Sequence, residues 1–239
     1  MSPVEYIVLI AAVLLGGLAG LRLPKFDGRY LHLLLSFSGA YLLSITALHL
    51  IPEAFSNNAV NPGIAVLGGF FLQVLFEQLS QGVEHGHIHV NQGRNVALPV
   101  LIGLSLHALL EGSPLALMGH AAHGHAEGHP LLTGLALHKL PAGFALSVLM
   151  LQAGYARGKV WLALGVFALM SPIGALVGEW IAPPRVLPYL LGLVIGSLLH
   201  VSTTILFELD DPDHHRLSWA KTGAIAAGII IALATRYVT

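Results

Sequence analysis

Apolar runs of about 20 residues recur along the chain and limit its fold more than any other feature. They cover residues 4–22, 30–52, 63–84, 96–119, 130–152, 159–181, 186–209 and 218–237, with polar or Gly/Pro breaks between them. A hydrocarbon core about 30 Å thick needs about 20 apolar residues at helical rise. No water reaches the backbone there, so each span must close its own hydrogen bonds as a helix, and the short alternating segments of a membrane β-barrel are not seen. The expectation is an all-α polytopic membrane protein, a bundle of eight transmembrane helices forming one membrane domain over residues 1–239. The first run lacks a basic leader and a small-residue cleavage site, so it reads as a retained span, with the mature chain beginning near Met1.

Composition narrows the chemistry. Charged residues make up 10% of the 239, whereas soluble domains carry about a quarter. Cysteine is absent, which removes disulfides, thiolate ligands and cysteine nucleophiles and leaves imidazole and carboxylate as the strong metal donors. Eleven Lys and Arg against twelve Asp and Glu give no basic surface for nucleic acid. Fourteen histidines are the compositional oddity.

Basic residues set the orientation. Arg22, Lys25, Arg29, Arg94, Arg157, Lys159, Arg216 and Lys221 fall on one side of the predicted spans, and only Arg185 and Arg236 on the other. The positive-inside rule then puts both termini outside the cytoplasm.

The polar residues within the spans carry the functional reading. The fourth run holds LSLHALLEGSP, in which His107 and Glu111 are four residues apart and share a helix face, so an imidazole nitrogen and a carboxylate converge on one point. Ionisable groups at bilayer depth are costly and mark a pathway or a bound ligand. At 1.5 Å per residue from the inner face, His107 lies roughly 15 Å deep and Glu111 roughly 21 Å. The fifth run, entering from the other side, carries His138 at roughly 20 Å from the inner face, so the three meet near one level. Lys139 is a further buried charge, and Glu111 is its nearest carboxylate by depth. Pro141 is expected to kink its helix just past His138 and open backbone there, and Pro114 to do the same in the fourth run.

Other polar groups line a candidate path. His49 and Glu53 form an i,i+4 pair toward the outer end of the second run, an entrance site or an interfacial cap. Gln73 and Glu77 share a face of the third run, and His200 shares a face with Thr204 in the seventh. One loop presents His85, His87 and His89; another, on the opposite side, presents His120, His123, His125 and His129. His-rich tracts are a compositional metal-binding signal, and their placement on both faces fits capture and release.

HALLEG (His107–Gly112), HKLPAG (His138–Gly143) and HLIPEA (His49–Ala54), with FEQL running into a His-containing loop, resemble the ZIP (Zrt/Irt-like) family of divalent metal transporters over essentially the whole chain. The resemblance implies eight helices with outer termini, two sub-bundles that move the site across the membrane, a homodimer and zinc as the transported substrate. Members with a binuclear centre carry ligands where this chain has Ala108, Lys139, Ala142 and Ser171, so the second site is missing while His107, Glu111 and His138 keep the first. The His138–Lys139 pair is similar to one branch of the family in which the lysine takes the second metal's position.

The expected function is transport of a divalent cation, zinc first, into the cytoplasm across a plasma or inner membrane. Nickel, cobalt, iron, manganese and cadmium accept the same N/N/O donors. Two alternatives stay open at this level. An intramembrane zinc hydrolase would use the same ligands to activate water, although no His-Glu-x-x-His motif is present. A non-transporting metal sensor would fit the lost second site.

Overall fold

A computed structural model describes residues 1–23, 28–56, 61–80, 97–121, 129–181, 184–208 and 218–238, and among them every regular element is helical. The helices are α1 (Pro3–Arg22), α2 (Gly28–Ile45), α3 (Gly63–Ser80), α4 (Ala97–Gly112), α5 (His129–Gln152), α6 (Arg157–Ile181), α7 (Leu187–Glu208) and α8 (Trp219–Val238). Helix α2 continues through a π-helical turn, Thr46–Leu50, into the α-helical turn Ile51–Ala54, and α4 resumes after a break as Leu115–Ala121. Seven of these stretches are long and apolar enough to cross a membrane; the apolar part of α8, Trp219–Thr235, is shorter.

Local chemistry explains the helix ends and irregularities. Ser2 and Glu5 close a capping box at the start of α1, each side chain taking the other's backbone N–H, with Pro3 at the first helical position. The prolines do not behave alike. Pro141 and Pro172 stay inside α5 and α6, whereas the chain breaks at Ser113–Pro114. Pro114 cannot donate to the Leu110 carbonyl, and Ser113 takes that oxygen with both its N–H, at 3.1 Å, and its hydroxyl, at 2.8 Å. That double contact ends the helix directly after Glu111, at Gly112. The π-helical turn stands before Pro52, which supplies no N–H; such turns recur where a side chain must be re-aimed, and this one carries His49.

The helices pack most extensively in four pairs, α1 with α5, α4 with α6, α3 with α7 and α2 with α8. One apolar core is built only from α1, α4, α5 and α6, with Val13, Leu104, Leu146, Leu164 and Phe167 at its centre. A smaller one joins Leu31 and Leu35 of α2 to Val201 and Ile205 of α7. The third cluster ties these groups together at the end where α1 begins, through Leu9, Leu42, Ile45, Leu131, Leu135, Val194 and Leu198. Toward the opposite end a cleft of about 200 Å³ opens between α1, α2 and α5, lined by Leu15, Leu31, Leu34, Leu140 and Phe144 among others. The outward faces carry exposed apolar side chains such as Ile64, Leu67, Phe71, Leu162, Leu169 and Trp180, as a lipid-facing surface requires.

Close approach inside the pairs depends on glycine. A Cβ on Gly174 of α6 would stand 2.1 Å from the Leu109 carbonyl oxygen, and one on Gly112 of α4 would stand 2.2 Å from the Ser171 carbonyl oxygen, so the two backbones touch directly beside the polar residues of α4. Gly174→Val should therefore cost at least the ~1–3 kcal/mol of an overpacked core, seen as a lower thermal unfolding midpoint in detergent. Gly165→Ala, on the same helix with no atom within 4 Å of the added carbon, should change it little. Equal midpoints for the two variants would contradict this packing.

Candidate metal centre

The α4–α6 contact fixes the depth of α4, and α4 presents His107 and Glu111 one turn apart on its buried face, 2% and 0% exposed. The His107 Nε2 lies 3.1 Å from Glu111 Oε1. His138 comes from α5, 1% exposed, its ring edge-on to His107 with centroids 6.0 Å apart. One donor atom from each of the three lies within 4.8 Å of the others, the only such group of metal donors among the described residues. Two imidazole nitrogens and one carboxylate oxygen are donors of the kind that zinc takes.

Lys139, next to His138, turns its ammonium to the other Glu111 oxygen. The Nζ–Oε2 distance is 3.2 Å, and the lysine is 2% exposed. The ring of Phe167 on α6 lies 5.5 Å from Nζ and adds the attraction of its π face. Glu111 thus offers one oxygen to the imidazoles and gives the other to the lysine. The positions where a second ion would find ligands are closed: Ala108 and Ala142 are buried and carry no donor, and the Ser171 hydroxyl donates to the Ala108 carbonyl at 2.8 Å.

Two residues that the sequence reading did not place at the site touch it. The Gln73 side-chain oxygen of α3 lies 2.8 Å from His107 Nδ1, and the Ser197 hydroxyl of α7 donates to that same oxygen at 2.9 Å. Gln73 drew notice only as the partner of Glu77 on a shared face. The usable signal was an amide in a span so apolar that it needs a polar partner on another helix.

The remaining candidates are not part of the three-donor group. Glu77 of α3 and His200 of α7 contact each other through Oε2 and Nε2, both partly buried, with Phe70 edge-on to the His200 ring at 5.0 Å. Thr204, which shares the His200 face, bonds its hydroxyl to the His200 carbonyl of its own helix at 2.9 Å. His49 and Glu53, half-buried, sit on the π-helical turn and the turn after it at the end of α2. His85, His87, His89, His123 and His125 lie outside the described residues, as do the side chains of His120 and His129.

A family model described as ZIP zinc transporter matches residues 80–235, which include all three donors and Lys139. The chain belongs to the ZIP family. Being ZIP, and built of helices long enough to span a bilayer, it is a multi-pass integral membrane protein. A relative by sequence is Protein zntD of Dictyostelium discoideum, 29% identical over 140 residues that cover 51% of this chain. The match covers 20% of zntD, so this chain spans about a fifth of that relative's length.

The buried pair gives a stability prediction independent of metal. Removing one partner of a buried ion pair leaves an uncompensated charge and costs about 3–5 kcal/mol. Glu111→Ala in metal-free protein should lose stability of that order in detergent unfolding, and adding Lys139→Met should recover most of it. A double variant as unstable as Glu111→Ala would mean that the pair carries no such charge balance.

Proposed function

We propose that this ZIP protein transports a divalent cation, zinc, into the cytoplasm, one ion at a time, on His107, Glu111 and His138. The observation that carries the reading is the convergence of these three donors with Lys139 held against the free side of Glu111. With no metal present, the lysine balances the carboxylate, so the site tolerates burial while empty. When the ion arrives, the ammonium keeps Glu111 oriented and also repels the cargo, which limits binding strength and favours release. The Lys–Glu pair therefore does what a second ion does in binuclear relatives, without needing that ion.

The rest of the reading is built around this site. The basic side chains set the direction, with both termini outside the cytoplasm. His49 and Glu53 serve the entrance, Glu77 and His200 lie along the path, and the histidines at 85, 87, 89, 120, 123, 125 and 129 collect or hand on ions. Residues 1–239 act as one transport domain, assembled as a homodimer in a plasma or inner membrane. The core of α1, α4, α5 and α6 carries the ligands, and its separate packing from α2 and α7 fits movement of one group against the other. Other divalent transition metals compete for the same donors.

Zinc flux into sealed liposomes tests the reading. His107→Ala, Glu111→Ala and His138→Ala should each fall to background with protein level unchanged. Near-normal flux in any two, or hydrolytic product without flux, would overturn it.

A further inference from the structure

The two polar side chains that reach the site from the other helix group bear on how the ligand works. Gln73 and Ser197 are both 0% exposed and stand on α3 and α7, whereas the donors stand on α4 and α5. The Gln73 oxygen accepts the Ser197 hydroxyl at 2.9 Å, which orients the amide with its oxygen toward His107. That oxygen lies 2.8 Å from His107 Nδ1. An oxygen acceptor requires Nδ1 to carry a proton, and a proton that Nε2 shares with Glu111 must leave when an ion arrives, so with Nδ1–H held by Gln73 the lone pair offered to the ion is that of Nε2. Nε2 is the atom that faces Glu111 Oε1, at 3.1 Å. The opposite tautomer would set a lone pair against the Gln73 oxygen and aim an N–H into the space the ion must take.

We infer that Gln73, oriented by Ser197, is a positioning residue that holds His107 in the metal-binding tautomer. This rests on His107 being a transport ligand. Because Gln73 belongs to the helices on the far side of the seam, His107 is fixed for binding only while α4 lies against α3. The bond also grows stronger once an ion sits on Nε2, since the metal draws charge from the ring and makes Nδ1–H a better donor. Displacement of α4 along α3 removes the acceptor and weakens the ligand, which couples zinc affinity to the register of the two groups. Gln73 meets His107 at Nδ1 and not at the nitrogen that faces Glu111, so its loss acts on affinity and not on the chemistry of the ligand set.

The test compares Gln73→Leu and Gln73→Glu in a background with the loop histidines at 120, 123, 125 and 129 replaced by Ser, using zinc itself as the probe. Outer-partner loss at metal-bound histidines typically weakens affinity about 10- to 100-fold. Gln73→Leu should show a loss of that size in purified protein, a matching rise in KM for uptake and a retained maximal rate. Gln73→Glu, which keeps an acceptor oxygen, should come back to within a few-fold of the parent. The nitrogen chemical shifts of labelled His107 in metal-free protein supply the readout that packing alone would not move: Nδ1 protonated in the parent and in Gln73→Glu, mixed in Gln73→Leu. The inference is overturned by an unchanged tautomer in Gln73→Leu, by affinity within threefold of the parent, or by failure of Gln73→Glu to restore it. His107→Ala separates the two levels. If it abolishes core binding while Gln73→Leu does not weaken it, the positioning role fails and the ligand assignment stands; if it leaves core binding intact, both fall.

Discussion

Glu111 and Lys139 lie 3.2 Å apart with almost no exposure, and a carboxylate in that position has few ways to remain charged. It must face a cation at all times, whether or not cargo is present. The lysine provides one, and on the proposed reading the second carboxylate oxygen is left for the transported ion. Packing around the pair is dense and apolar, with Phe167, Leu104 and Ala142 in the same core, so no bulk water relieves either charge. The remaining features of the site follow from keeping this pair dry and correctly aimed.

That aim is set by backbone contact. Gly112 and Gly174 let α4 and α6 meet without intervening side chains, and Gly143 of α5 stands where a Cβ would be 2.5 Å from the Val13 carbonyl oxygen of α1. These approaches bind α1, α4, α5 and α6 into one body that holds both imidazoles, the carboxylate and the lysine. The other helices supply polar contacts from across the seam, namely Gln73 with Ser197. A ligand set on one body and its orienting hydrogen bond on the other is an arrangement in which movement and affinity are coupled.

Much of this was legible in the sequence. Seven of the eight expected spans are helices long and apolar enough to cross a bilayer, because about 20 apolar residues are imposed on any helix that does so, while the apolar part of α8 is shorter. Depth arithmetic set His107, Glu111, His138 and Lys139 at one level because helical rise is constant and neighbouring spans run in opposite directions, and the structure brings those side chains together. What escaped was whatever depends on neighbours in space. An i,i+4 relation tells which side chains share a face and not which helix that face meets, so Gln73 was paired with Glu77 and its contact with His107 was missed. Proline alone does not decide a break: Pro141 and Pro172 are carried within helices, while Pro114 ends one because Ser113 takes the carbonyl it strips. The π-helical turn around His49 has no composition signal beyond Pro52.

The number of ions held at the core tests the account most directly, because the lysine and a second metal cannot share one side of Glu111. Purified protein with the loop histidines at 85, 87, 89, 120, 123, 125 and 129 replaced by Ser should be loaded with zinc, freed of excess and assayed for metal per chain. One tightly bound ion, lost in His107→Ala, is the predicted result. Two core ions per chain would contradict it.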